Sequence, residues 1–444
     1  MPRSVKYAWN VDVSLAYEVT GDGENTLLLL SCAPTNIDIQ REHSRFVEYL
    51  DRLAHGRRLI VTDRRGTGLS DRFSPTEIPP VESLTDDLGC VLDAAGSEQA
   101  VVMAEGETAM VAMLFAAAHP DRCAGLILLD PIAAWLQSPE TPWMPTPEQW
   151  EAEMSDTRSR WGTVPPGAIS FADEAEREWY LRLVRGTVPP GGLAAEMARW
   201  IRTDVRDILP AIHVPVLILV NGEGTGYADP RSGRLIADRL PAARLDSYQP
   251  DASVFGTDPV RVADAVDAFF DQLGAFDPLL DRVLATVLFT DIVGSTERAV
   301  EMGDHRWRQL LEQHHAITRQ LLRRWRGEEL DVAGDGFFAR FDGPARGIRC
   351  ALDIANETRQ LGIEVRAGLH TGECELVDGK VGGLAVHIGA RVAGMAGAGE
   401  VLVSRTVRDL VAGSGIQFED RGLNALKGIP GEWELYAAKL PVGT

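Results

Sequence analysis

The stretch ATVLFTDIVGST, residues 285–296, carries the strongest structural signal in this chain. Its apolar first half predicts a buried strand that carries Asp291 to the end of the sheet. The small residues that follow open a helix, and the first backbone N–H groups of a helix have no partners within it. Such groups bind phosphate well. The predicted phosphate-binding residues are Gly294, Ser295 and Thr296.

A second stretch, LDVAGDGFF at residues 330–338, predicts a strand, a glycine turn and a returning strand. Asp335 lies in that turn, so its carboxylate and that of Asp291 are expected to meet at one end of the sheet. Two hard oxygen ligands suit Mg²⁺ or Mn²⁺ bound together with the phosphates of a nucleotide. Taken singly, an aspartate more commonly caps a turn, and that alternative stays open at this point.

Four motifs in fixed order extend the pattern: FTDIVGST, AGDGFF, VRAGLHTGE and GGLAVHIGAR. Together they resemble the catalytic domain of the class III nucleotide cyclases, from Val283 to Ala437. The resemblance implies a ferredoxin-like α/β domain over residues 283–440 that forms a head-to-tail homodimer with active sites shared between the chains. It also implies a nucleoside triphosphate substrate, a 3′,5′-cyclic nucleotide product and two Mg²⁺ or Mn²⁺ ions per site.

The resemblance assigns roles to individual residues. The metal ligands would be Asp291, Asp335 and the carbonyl oxygen of Ile292. Arg391 corresponds to the arginine that stabilises charge on the reacting phosphate, and Lys427 to the lysine that binds the triphosphate. His387 stands where the family commonly has asparagine, and it keeps one hydrogen-bond donor for the ribose and phosphate. Alternatively, His387 only packs on its helix.

Two residues at the base-recognition positions depart from the adenine-specific members. Those members carry lysine where this chain has Asp331, and aspartate where it has Lys380. An acid followed by a lysine matches the N–H and keto oxygen of guanine or uracil, which favours GTP or UTP slightly. Adenylate cyclase activity on ATP remains an alternative, and so does a degenerate nucleotide-binding sensor without turnover.

The front part of the chain, residues 1–276, alternates apolar runs with helical periodicity, which predicts a mostly parallel sheet covered by helices. Its segments DRRGTGLSD (63–71) and VVMAEGETA (101–109) resemble the α/β-hydrolase fold, with a helical cap at about 134–204. The predicted strands are Thr26–Leu30, Arg58–Thr62, Ala100–Met103, Leu126–Leu129 and Val214–Val220. The predicted helices are Ile39–Leu53, Leu84–Ala95, Thr108–His119, Pro230–Leu240 and Val260–Leu273.

The hydrolase chemistry is missing from this part. The serine position of the G-x-S-x-G motif holds Gly106, and no histidine lies between Asp251 and Val283. The acid position falls near Thr225, with Glu223 and Asp229 close by. A triad acts as a unit, so we expect no hydrolase activity. Two interpretations compete: a scaffold, or a sensor whose tryptophan-rich cap binds a small apolar ligand. An active esterase is the third and least favoured interpretation.

Charge and composition exclude other classes. The net charge is −21, and residues 283–444 contribute only −3 of it. An acidic front part repels nucleic acids and anionic membranes, so neither is an expected partner. Five scattered cysteines give no disulfide framework or zinc spacing. No run of eighteen apolar residues exists, so we expect a soluble, cytoplasmic protein.

Overall fold

The computed structural model describes residues 4–74, 76–163, 171–222, 224, 229–249, 258–273, 282–377 and 380–440, without the side chains of residues 376, 377 and 380. The chain divides into two compact units, Met1–Leu280 and Asp281–Thr444. They are called the front unit and the rear unit below.

The described part of the front unit forms an eight-stranded sheet in the order β1-β2-β4-β3-β5-β6-β7-β8. The first hairpin and the β2–β4 pair are antiparallel, and all other pairs are parallel. The strands are β1 Lys6–Asn10, β2 Val13–Thr20, β3 Thr26–Leu30, β4 Arg58–Thr62, β5 Ala100–Glu105, β6 Cys123–Leu129, β7 Val216–Asn221 and β8 Ala243–Tyr248.

Helices cover both faces of this sheet and build the cap. The helices are α1 Ile37–Gln40, α2 Ser44–Leu53, α3 Val81–Ala95, α4 Thr108–Ala118, α5 Pro147–Arg160, α6 Glu174–Thr187, α7 Pro190–Trp200, a 3₁₀ helix Arg206–Ala211, α8 Pro230–Ala237 and α9 Pro259–Leu273. The predicted helix over 39–53 is in fact two helices, because a turn at residues 41–43 separates α1 from α2.

The rear unit is a second α/β domain. Its sheet runs β10-β11-β9-β12-β14-β16-β15, with β13 paired to β12, and only the β12–β14 pair is parallel. The strands are β9 Arg282–Ile292, β10 Glu328–Ala333, β11 Gly336–Phe341, β12 Val365–Val377, β13 Lys380–Gly382, β14 Val401–Ser404, β15 Gln417–Ala425 and β16 Glu432–Lys439. The helices are α10 Ser295–Met302, α11 Asp304–Arg324, α12 Pro344–Glu357, α13 Leu384–Met395 and α14 Arg405–Leu410, with a 3₁₀ helix at Thr358–Leu361.

One local expectation for the rear unit is wrong. The helix expected after Thr296 is broken at Gly303, whose φ of +77° favours glycine and separates α10 from α11. The short strand β13, Lys380–Gly382, pairs with β12 through Val377 and Lys380. A hairpin therefore extends this side of the sheet.

Candidate active site

The two predicted metal-binding aspartates lie together at one end of the rear sheet. Strand β11 pairs with β9 so that Phe337 faces Thr290, which brings the β10–β11 turn beside the end of β9. The backbone N–H of Ile292 donates a 3.0 Å hydrogen bond to a carboxylate oxygen of Asp335. Gly334 makes the tight turn possible, because its φ of +66° is rarely adopted by residues with a side chain.

The electrostatics of Asp335 show that the two carboxylates share one environment. Burial raises the pKa of Asp335, and the negative charge of Asp291 raises that pKa further. The N–H of Ile292 and the hydroxyl of Ser295, at the start of α10, lower it. Two carboxylates that repel each other in a half-buried place gain from a shared cation.

The donor set fits a hard divalent cation. Asp291, Asp335 and the carbonyl oxygen of Ile292 offer only oxygen ligands, and Mg²⁺ takes one or two carboxylates plus substrate phosphates. The part of the chain that the structure describes holds no cluster of three or more acidic, histidine or cysteine side chains suited to a metal. A cation here would take its remaining ligands from outside this donor set, as Mg²⁺ commonly does with water and with substrate phosphates.

An arginine that the sequence analysis missed contacts this site. Arg366 of β12 lies directly opposite Asp291 in the antiparallel β9–β12 pair. Its Nε donates to a carboxylate oxygen of Asp291 at 3.0 Å, and its Nη2 donates to the same oxygen. The Asp291 carboxylate thus already has a cationic partner before any metal arrives.

Two neighbouring histidines of α11 hold the turn that carries Asp335. A ring nitrogen of His314 lies 3.3 Å from the carbonyl oxygen of Asp335, and one of His315 lies 3.1 Å from that of Gly334. Burial lowers the pKa of His314 to about 4, so its ring is neutral at pH 7.

The start of α10 has the backbone expected for phosphate binding. Gly294 adopts a left-handed conformation with φ of +68° immediately before the helix, which begins at Ser295. Gly294 and Thr296 are exposed, and Ser295 is half-buried. The side chain of Ser295 faces Asp335, so the predicted phosphate-binding and metal-binding residues adjoin.

Arg391 and Lys427 form a second group. The Nε of Arg391, on α13, donates a 3.0 Å hydrogen bond to the backbone carbonyl of Lys427. Both side chains are exposed, as is His387 one helical turn earlier. Within the described residues, no hydrogen bond or ion pair of this single chain links Arg391 or Lys427 to the aspartate pair.

Helix α13 reaches its position because two glycines let it approach the sheet. A Cβ on Gly368 of β12 would lie 2.1 Å from the backbone nitrogen of Ala393, and one on Gly389 would lie 2.6 Å from a methyl group of Val287. Neither approach is compatible with a side chain. The glycines of AGLHTG and HIGAR therefore fix the distance between α13, which carries His387 and Arg391, and strands β9 and β12.

Only one residue of the predicted base-recognition pair, Asp331, has a side chain that the structure describes. Asp331 is exposed on the edge strand β10, opposite Phe338 of β11, and its carboxylate accepts from the N–H of Val332. The backbone of Lys380 begins β13, but its side chain lies outside the described residues. The Asp331–Lys380 pairing therefore stays a prediction.

The front unit retains the elbow of a hydrolase without a nucleophile. Gly106 stands between β5 and α4 with φ of +55°, and a Cβ there would meet only the Cβ of Cys32, at 3.7 Å. Asp229 caps α8 and pairs with Arg231, so it serves no triad. The other triad positions considered, Glu223, Thr225 and residues 251–253, lie outside the described residues.

A further carboxylate, Asp130, follows β6 near the elbow. It accepts hydrogen bonds from the backbone N–H of Asn221, at 2.7 Å, and from the hydroxyl of Tyr248. Burial raises its pKa. Its partner is a tyrosine and not a histidine, so this carboxylate lacks the base that a triad requires.

Several cap tryptophans pack within the cap or against helix α1. The rings of Trp135 and Trp150 lie 4.9 Å apart, and Trp200 is fully buried. Trp179 is buried and donates its indole N–H to the carbonyl of Ile39 at 2.8 Å. These contacts favour the interpretation that the aromatic residues form the core of the cap.

Comparison with known families assigns both units. The family model described as alpha/beta hydrolase fold matches residues 25–251, just over half of the chain. The chain belongs to the α/β-hydrolase fold family. A second model, the adenylate and guanylate cyclase catalytic domain, matches residues 281–439, and the rear unit is accordingly a class III nucleotide cyclase domain. The expected fold classes of both units are confirmed.

Individual relatives cover only part of this architecture. The chain is 32% identical over 151 residues to epoxide hydrolase B of Mycobacterium tuberculosis, covering 32% of this chain and 42% of the relative. It is 36% identical over 104 residues to an uncharacterized protein of Mycobacterium bovis, covering 22% of this chain and 36% of the relative. The chain thus spans less than half the length of these curated relatives.

Solved structures resemble each unit separately. Est816, described as an N-acyl homoserine lactone degrading enzyme, is 24% identical and covers 61% of this chain and all of its own, with a TM-score of 0.46. The guanylate cyclase domain of RhGC from Catenaria anguillulae is 20% identical and covers 35% of this chain and 96% of its own, with a TM-score of 0.33. Among the residues described, no helix has the length and apolar character to span a membrane.

Proposed function

We propose that the rear unit converts a nucleoside triphosphate into a 3′,5′-cyclic nucleotide and pyrophosphate. The observation that carries the proposal is the meeting of Asp291 and Asp335 at one end of the sheet, beside the start of α10. This arrangement offers oxygen ligands for two Mg²⁺ or Mn²⁺ ions next to backbone N–H groups for phosphates. When bound, such ions would neutralise the negative charge of the triphosphate and lower the pKa of the ribose 3′-hydroxyl.

The remaining work falls to side chains that position the substrate and stabilise charge. Arg391 stabilises the charge that develops on the reacting phosphate, and Lys427 holds the triphosphate. His387 donates a hydrogen bond that orients the ribose and the phosphate. The 3′-oxygen attacks the α-phosphorus, the bond to the β-phosphate oxygen breaks, and pyrophosphate leaves.

The active form is a homodimer with two shared sites. Arg391 and Lys427 contact each other and make no hydrogen bond or ion pair with the aspartates inside one described chain. Two half-sites on one chain are what a head-to-tail dimer needs, because each site then takes its aspartates from one copy and its arginine from the other.

The first test incubates the purified full chain with Mn²⁺ and each of the four nucleoside triphosphates, and identifies products by mass spectrometry. We expect one cyclic product that disappears in Asp335→Ala. The control Asp342→Ala removes an exposed carboxylate that pairs with Arg346, and activity should persist. Tight nucleotide binding without product in any condition would instead establish the degenerate sensor.

The second test mixes the inactive variants Asp335→Ala and Arg391→Ala. A shared site predicts that mixed dimers recover part of the activity, since one of their two sites has both intact halves. If subunit exchange is confirmed and the mixture stays inactive, the sites are not shared.

Base preference rests on Asp331 and Lys380. We propose a slight preference for GTP or UTP, because an acid accepts from the ring N–H and a lysine donates to the keto oxygen. The measurement compares kcat/KM for the four nucleotides in the wild type and in the variant carrying both Asp331→Lys and Lys380→Asp. A wild type that prefers ATP, with a preference that the double variant leaves unchanged, would make adenylate cyclase the correct assignment.

The front unit is proposed to be non-catalytic, which rests on Gly106 at the nucleophile position. A panel of p-nitrophenyl esters checks this directly, and we expect no turnover above the buffer rate.

A further inference from the structure

The elbow of the front unit keeps the backbone of an oxyanion hole. In the α/β-hydrolase fold this hole consists of the N–H of the residue after the nucleophile and an N–H from the loop after the third strand. In this chain those groups belong to Glu107, which follows Gly106, and to Ala33, which lies in the loop after β3. Gly106 holds the strained elbow conformation, with φ of +55°.

The N–H of Ala33 is directed at the carboxylate of Glu107 and donates to its Oε1 at 3.3 Å. The N–H of Glu107 itself lowers the pKa of the same carboxylate. The residue is 9% exposed, so this charge is removed from water. Burial raises the pKa of Glu107, while Arg64 and the two N–H groups favour its charged form.

The buried Arg64 lies beside the carboxylate of Glu107 and has N–H groups that no described residue accepts. Nη2 of Arg64 lies 3.7 Å from Oε1 of Glu107, and Nη1 donates to Glu196 at 3.3 Å. The Arg64 side chain is only 4% exposed, yet its Nε and Nη2 have no hydrogen-bond partner among the residues that the structure describes. A buried guanidinium with spare donors is costly and has capacity for a further acceptor.

We propose that the oxyanion hole of the front unit is a carboxylate-binding site that the chain closes with its own Glu107. Removal of that side chain opens the site to a small monocarboxylate, held by the N–H groups of Ala33 and Glu107 and by Arg64. The alkyl part of such a ligand fits over Gly106, where the first atom that an added Cβ would meet lies 3.7 Å away. No substrate oxyanion can form in the hole while Glu107 occupies it.

The experiment removes the carboxylate of Glu107 by substitution and adds a small carboxylate to the solution. Glu107→Ala removes one of the two carboxylates beside the buried Arg64 and leaves Glu196 as the other. The melting temperature of the full chain should therefore fall by roughly 5–10 °C. Acetate or propionate should restore at least half of that loss, saturably, at constant ionic strength. Acetamide, a neutral molecule of the same shape, should not restore it, and acetate should leave the wild type unchanged.

The matched control is Glu105→Ala, the neighbouring half-buried carboxylate at the elbow. A carboxylate oxygen of Glu105 lies 3.7 Å from the thiol of Cys32, and no arginine among the described residues pairs with it. Burial raises its pKa to about 7. Its removal leaves a vacancy of the same size without an adjacent cation, so acetate should give it no saturable rescue.

A second variant covers the case in which Glu107→Ala does not fold. Glu107→Ser leaves a smaller vacancy, and saturation-transfer NMR then reports acetate binding to the folded protein directly. We expect transfer to acetate in Glu107→Ser and none in the wild type. Equal transfer in both proteins, or no transfer and no thermal rescue in any Glu107 variant, would overturn the proposal.

Discussion

Replacement of Arg366 by glutamine should strengthen the binding of Mn²⁺ to the rear unit. The guanidinium contacts one carboxylate oxygen of Asp291 through two N–H groups, so it competes with a cation for that oxygen. Glutamine keeps a comparable length and removes the positive charge. The aspartate pair then faces an incoming cation without a competitor and without a nearby like charge.

The size of the effect follows from the exposure of the pair. The side chains of Arg366 and Asp291 are 34% and 38% exposed, so solvent screens their attraction. Measured ion pairs of this kind contribute about 0.2–1 kcal/mol. If metal binding must break this contact, its removal should lower the Kd for Mn²⁺ by about 1.5- to 5-fold.

The assay is an EPR titration of free Mn²⁺ against the full chain, which reads metal binding without turnover. The control is Arg340→Gln, which removes a half-buried arginine paired with Glu328 on the neighbouring β10–β11 hairpin, and its Kd should equal that of the wild type. An unchanged or higher Kd in Arg366→Gln, with an intact fold by circular dichroism, would show that Arg366 supports the metal site and does not compete for it.

Three further predictions concern cyclase activity, the pH dependence of stability, and the elbow of the front unit. Gly368→Ala would push a methyl group to within 2.1 Å of the backbone of Ala393, so α13 must shift and cyclase activity should fall at least tenfold, measured as kcat. Burial lowers the pKa of His370 to about 4, below its unfolded value of 6.5. Its stabilising contribution is therefore present above pH 6.5 and lost towards pH 4. Urea unfolding should show a free energy of unfolding about 2 kcal/mol lower at pH 5 than at pH 7 because of this group. His370→Asn should remove that difference. Gly106→Ser should give no ester hydrolysis in a p-nitrophenyl acetate assay, because Glu107 still fills the oxyanion hole.

Two strands of the front sheet, β3 and β4, could be predicted to the residue because they are almost entirely buried. Thr26–Leu30 and Arg58–Thr62 are short, nearly continuous apolar runs, and the structure has β3 and β4 at the same bounds. The edge strand β8, ARLDSY, is mostly exposed and polar, so it shows no apolar run. Its pairing with β7 supplies a structure that its own side chains do not indicate.

The residues of the candidate site also differ in how far the sequence predicts them. Asp291 and Asp335 were predictable because each stands in a recognisable strand-end or turn pattern. Arg366 was not, because it contacts Asp291 across 75 residues of chain through the register of β9 and β12. Register depends on the whole packed sheet, and no local pattern records which residue stands opposite another.

The contact between Ala33 and Glu107 has the same origin, and it changes the interpretation of the front unit. From the sequence, Gly106 indicates only that a nucleophile is missing, and one substitution back to serine would seem sufficient to restore it. The structure adds that the carboxylate of Glu107, next to Gly106, accepts from the N–H of Ala33, one of the two donors of an oxyanion hole, with Arg64 beside it. Charge of this kind is stable inside a protein only when it is paired. A serine at position 106 would therefore meet a hole whose Ala33 donor is already taken by Glu107, which argues against a hydrolase that lost only its nucleophile.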